Sequence, residues 1–225
     1  GSRCWMVGED ERVVYALSKI MEKEGLEGKK LLAIGASSGG YFIGNFAAAM
    51  PAKHPLKPKS AAVMIMGVAD NAISIPHFPP VVFWHMPRDT QTAGWIEKDI
   101  SLLKKKYFPV LEQHCKPLPL PETYFSDWTE TISPSASAEM VAALRGAKWL
   151  DDKSFLKLDP RIYGREWRHL FDNKVADVKS GKIKTKADKN AVPELLNMAF
   201  AQHSWCLEGL DNVMAFMLKH AEIEE

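Results

Sequence analysis

The run KLLAIGASSGGYFIGNFAAAM, from Lys30 to Met50, decides how the rest of the chain is read. It opens with a strand-length apolar stretch and passes through the small residues Gly35 to Gly40. It then continues as a helix-forming segment that Pro51 closes. The pattern predicts a strand, a tight turn and a helix. Within the turn, Gly35-Ala36-Ser37-Ser38-Gly39 satisfies G-x-S-x-G, where glycines on either side of the serine keep side chains out of the crossing of strand and helix. Such a turn projects the Ser37 hydroxyl above the carboxyl edge of a sheet, the position of an attacking nucleophile. The competing reading is a glycine-rich helix start that binds phosphate through backbone amides. The segment has neither the Lys-Ser/Thr ending of a P-loop nor the G-x-G-x-x-G spacing of a dinucleotide site.

Upstream, Val13, Val14, Leu17, Ile20 and Met21 recur at helical spacing between Glu9 and Gly25, which predicts an amphipathic helix. Downstream, Ser60 to Val68 and Val81 to His85 are further strand-length apolar runs, and Pro109 to Leu120 holds a fourth around VLEQHCKPL. Thr90 to Tyr107 has a helical pattern between the last two. Short apolar runs separated by helices indicate a mostly parallel sheet flanked by helices. The last hundred residues change character. Helices are expected at Ser135 to Leu144 and at Arg161 to Phe171, and a final helix or helix pair from about Pro193 to His220, with the Lys-rich stretch DNKVADVKSGKIKTKADKN before that last segment as a polar loop. The reading is therefore α/β, one domain over 1–225, with a sheet core over 1–120 and a mainly helical cap over 121–225.

At 225 residues with 46% hydrophobic content, the chain is long enough to bury a substantial core. A formal net charge of +1 gives no global pull toward nucleic acid or an anionic membrane, which points to a small molecule or another protein as partner. Cys4, Cys115 and Cys206 are odd in number and widely spaced, which predicts free thiols rather than a disulfide framework or a zinc site. No apolar stretch is long enough to span a bilayer, and the first residues lack the apolar region of a signal peptide. An intracellular location, in cytoplasm or organelle lumen, is expected.

GASSGG after a strand, followed by another strand and then by PPVVFWHMPRD, resembles the α/β-hydrolase superfamily. In that pattern a later strand ends in an apolar run, then His-Gly, then an acid a few residues on. Here His85 takes the His position, Met86 replaces the Gly, and Asp89 falls where the family carries its triad acid. The resemblance implies a Ser-His-Asp triad in the order serine, acid, histidine, which excludes His54, His77 and His85 as the base. Of the others, His203 in LLNMAFAQHSWCLEG is favoured, with His114 and His169 as alternatives; Asp70 is the alternative acid. Asp89 also suits a second job, capping the helix that follows it. The amide of Ser38, next to the nucleophile, is the implied first oxyanion donor. No metal or organic cofactor is implied.

The family's second oxyanion donor and several strands normally precede the serine, yet one helix and a few residues precede Lys30. That leaves three expectations. One is a serine hydrolase of an ester, thioester or amide. Another is an idle hydrolase-like scaffold whose bare sheet edge is covered by a partner protein or a missing segment. The last is a receptor that binds ligand without turnover. Trp149, Trp167, Trp205 and Met198 are candidates for an acyl pocket, although such residues more often form core.

Overall fold

The computed structural model describes residues 10–64, 66–68, 73, 75–183, 191–204, 206 and 208–221. The chain divides into two compact units, one formed by 1–115 with 207–225 and the other by 116–206. The second unit is thus an excursion out of the first, to which the C-terminal segment returns.

In the first unit, helix α1 (Asp10–Lys23) precedes β1 (Leu32–Ala36), α2 (Ser38–Ala49), β2 (Ser60–Met64), β3 (Val81–His85), α3 (Ala93–Lys105) and β4 (Val110–His114). The four strands form one parallel sheet in the order β1-β2-β3-β4. This is the α/β architecture the apolar runs predict: a parallel sheet flanked by helices. Strands β2 and β3 are buried throughout, so they lack the polar alternation of a one-sided sheet. Ile96, Ile100 and Leu103 of α3 pack with Ala61, Val63, Val81 and Phe83 into one apolar cluster. On the α1 side, Val13, Val14 and Leu17 pack against Phe42, Phe46 and Met50.

Two buried charges hold helix and loop ends. The Lys57 ammonium donates to the carbonyls of Ala47 (2.7 Å) and Met50 (3.0 Å), where the end of α2 leaves carbonyls without helical partners and the helix dipole favours a cation. Burial, and then the nearby Lys59, lower the Lys57 pKa. Asp99 on α3 accepts from the Val68 amide at 2.7 Å. That bond explains why β2 stops at Met64 although the apolar run continues to Val68: the later amide turns to a side chain instead of a strand.

The second unit contains α4 (Tyr124–Trp128), α5 (Pro134–Gly146), α6 (Gly164–Lys174), the short α7 (Ala176–Lys179) and α8 (Val192–Phe200). Ser133 caps α5, its hydroxyl accepting from the Ala136 amide, with Pro134 in the first turn. The core gathers Phe125, Met140, Leu144, Trp167, Phe171 and Leu196, with Trp149 beside them. Trp149 and Trp167 are therefore core residues of this unit; Met198 is packed at its margin, and Trp205 lies outside the described residues.

The final apolar stretch forms a pair of helices, one of the two arrangements expected. Ala201 adopts a left-handed conformation after α8, and Gly209 (φ 80°) precedes α9 (Leu210–His220), which returns to the first unit and packs on β2, β3 and β4. The Lys-rich stretch also departs from a plain loop. Residues 172–174 complete α6, α7 follows, and Val175, Val178 and Ile183 are buried in the core, while 184–190 lie outside the described residues. Three apolar residues among many lysines suffice to dock the segment, because their contribution depends on area removed from water and not on local composition. The expectation of three free thiols is corrected too: Cys115 and Cys206 are both disulfide-bonded. Wide spacing hides such bonds, since pairing depends on proximity in the fold.

Among the described residues, no helix is long and apolar enough to cross a membrane.

Candidate active site

The geometry is most informative where β1 meets α2. Ser37 has φ 53° and ψ −126°, a combination that non-glycine residues rarely adopt and that persists only where the surroundings hold it. Those surroundings are explicit. The Ser37 amide donates to the Met64 carbonyl at 2.9 Å, tying the turn to the end of β2, and the Ser37 carbonyl accepts from the Tyr41 amide at 3.1 Å. A Cβ on Gly35 would collide with the Gly39 carbonyl oxygen, so the strand and the first turn of α2 touch backbone to backbone. Gly40 is also close, its virtual Cβ 3.0 Å from the Gly35 carbonyl and 3.1 Å from a Val63 methyl. The glycines are needed because the helix begins directly over the strand end.

Ser37 occupies the position before α2 at which serine usually caps a helix, yet its side chain makes no capping bond. The Ser37 side chain is half-buried. Ser38 is the first residue of α2, so its amide is among the four that have no partner within the helix and that carry the positive end of its dipole.

Asp89 lies four residues beyond the end of β3. Register aligns Ala36 with Met64 and Met64 with Trp84, so the Ser37 and Asp89 turns leave the same edge of the sheet, separated by β2. The Asp89 carboxylate is fully buried. One oxygen accepts from the Gln91 amide (3.1 Å) and the other from the Thr92 hydroxyl (2.6 Å). Asp89 thus organises the turn that precedes α3, which starts at Ala93 and not at Thr90. Asp70 lies outside the described residues.

His203 belongs to the second unit, in the turn after α8. Its amide donates to the Gln202 side-chain oxygen (3.0 Å), while the Gln202 amide nitrogen donates to Asp159 (2.7 Å). Ser204 beside it donates to the Glu194 carbonyl at 3.2 Å. His203 is half-buried, and its backbone is fixed by neighbours on both sides. His169 is exposed on α6, where Asn173 faces its ring.

His114 stands elsewhere, at the end of β4 on the edge of the sheet. Its Nε2 is 3.0 Å from Glu112 Oε1, and His85 Nε2 is 3.2 Å from the same oxygen. The two imidazoles lie with ring centres 4.1 Å apart. Burial lowers the His85 pKa, with His114 acting in the same direction and Glu112 opposing, so His85 is neutral at pH 7. For Glu112, burial acts upward, but the hydrogen bond from His85 and the electrostatic pull of the neighbouring imidazoles and Lys104 outweigh it and hold the carboxyl below its ordinary range. The sequence reading missed this cluster. Its one visible signal was the E-x-H spacing of Glu112 and His114, which puts two donors on one face of a strand.

The fold is a parallel α/β sheet with a strained serine turn at its carboxyl edge. No family model matches the chain, and no curated protein or solved structure matches it either.

Proposed function

We propose that this chain is a serine hydrolase of a small-molecule ester, thioester or amide, with Ser37 as nucleophile, His203 as general base and Asp89 as the acid that orients it. The observation that carries the reading is the Ser37 backbone, a non-glycine residue at positive φ between a parallel strand and its helix. Strain of this kind is retained where it serves a task, and lifting a hydroxyl clear of its own helix is such a task. In the proposed reaction the His203 imidazole takes the Ser37 proton as Oγ bonds to the carbonyl carbon. The oxyanion forms against the Ser38 amide, and the proton then passes to the leaving group as its bond to carbon breaks. Water repeats the sequence to free the acid.

The order serine, acid, histidine along the chain supports this assignment, as does the resemblance to α/β-hydrolases. His114 is the poorer candidate because it stands on β4, the edge of the sheet opposite to β1 and the Ser37 turn. Of the two locations considered, an oxidising organelle lumen suits disulfide-bonded Cys115 and Cys206 better than cytoplasm. A fluorophosphonate probe should label the intact chain at Ser37. Equal labelling of wild type and Ser37→Ala, or none of either, overturns the proposal.

One observation favours a second reading, an idle scaffold within an assembly. Among the described residues β1 is an edge strand, and its Ile34 is 45% exposed. Light scattering on the purified chain separates the two, since an active monomer leaves the scaffold reading without support.

A further inference from the structure

We propose that His85, Glu112 and His114 form a binding site for a divalent transition metal of the zinc class, separate from the serine turn. The three residues come from adjacent parallel strands: His85 and His114 are register partners on β3 and β4, and Glu112 lies two residues before His114 on the same face. One ligand atom from each falls within 4.8 Å of the others.

The spacing is what a metal requires. Zinc bonds of about 2.0–2.1 Å at tetrahedral angles separate neighbouring ligand atoms by roughly 3.3 Å. The two nitrogen-to-carboxylate separations, 3.0 and 3.2 Å, already match that edge without rearrangement. Two imidazoles with one carboxylate suit zinc, cobalt, nickel or copper, whereas magnesium and calcium prefer oxygen alone. His114 is half exposed, and a groove of about 570 Å³ lined by Glu97, Lys104 and Glu112 opens beside the cluster. Together they provide an entry path and room for a fourth ligand from solvent.

Two features limit affinity. His85 Nδ1 is buried with no hydrogen-bond partner, so no acceptor fixes the tautomer from behind, a support that tighter sites usually have. Lys104 also lies 3.6 Å from the second Glu112 oxygen and repels a cation. Affinity on the order of micromolar follows, below that of structural zinc sites.

The test is titration of the full chain with Co²⁺, followed by competition with Zn²⁺. Wild type should bind a single equivalent and give the intense visible absorption of four-coordinate cobalt. Glu112→Gln and the exposed-site variant His114→Asn should each lose about 100-fold or more in affinity, with apo circular dichroism unchanged. Lys104→Met should bind several-fold tighter, and His169→Asn should match wild type. An aqueous cobalt spectrum at millimolar metal, or equal affinity in wild type, Glu112→Gln and His114→Asn, overturns the site.

Discussion

The two ends of one sheet edge differ in how their chemistry is encoded. At β1, the Gly35, Gly39 and Tyr41 backbone contacts of the Ser37 turn lie within a few residues of it in the chain, and the Met64 carbonyl and Val63 join them from β2. At β3 and β4, three side chains from strands 25 residues or more apart converge only because Val81 pairs with Val110, which brings His85 opposite His114. The first arrangement is mostly local and leans on one other strand, β2. The second exists in a single register, and a slip of one residue would turn Glu112 and His114 to the opposite face.

Substitutions at the two ends should therefore separate cleanly. Ser37→Ala is expected to reduce turnover at least about 10⁴-fold with the fold intact, measured by ester hydrolysis alongside circular dichroism. Retained turnover would show that the strained turn is structural alone. Gly35→Ala should destabilise by about 1–3 kcal/mol, read by urea unfolding, because the added methyl meets the Gly39 backbone and the strand and helix must part. The same variant should slow probe labelling, whereas a stability loss with unchanged labelling would uncouple the glycine from the serine.

Acid sharpens the comparison from the other end. The His85 pKa is depressed in the folded state below the ordinary 6.5, so the unfolded chain binds its proton first as pH falls. Its contribution is fully present above pH 6.5 and declines below it. Glu112 is likewise depressed from 4.5, so its contribution is present above that value and lost as pH falls through the lower folded pKa. Thermal unfolding should thus show stability falling in two stages on acidification, and Glu112→Gln should remove the lower one. The smallest effect expected is on chemistry. Glu112→Gln should change the rate of probe labelling at Ser37 by no more than about twofold, since it lies away from the serine turn.

What the sequence disclosed follows the same division. The strands β1 to β4 and helices α1 to α3 were legible because short apolar runs and helical spacing are local signals, and the serine turn was legible from five consecutive residues. Ends were less so. β2 stops early because Asp99, far along the chain, captures the Val68 amide, and α3 starts late because Asp89 and Thr92 bond to each other first. The break at Ala201 carried no glycine or proline signal, since an alanine adopts the left-handed conformation there. Val175, Val178 and Ile183 were hidden by lysines, and the His85 cluster and the disulfide bonding of Cys115 and Cys206 by dependence on pairings that sequence spacing does not carry.

Because α9 belongs to the sheet unit while the whole second unit intervenes, the order of synthesis matters. A ribosome making this chain finishes β4 and then needs roughly 5 to 20 s at ordinary elongation rates before α9 is added. During that interval, the places on β2, β3 and β4 that α9 will cover stay bare. The sheet unit is therefore complete only once its last helix emerges, after the whole excursion has been made.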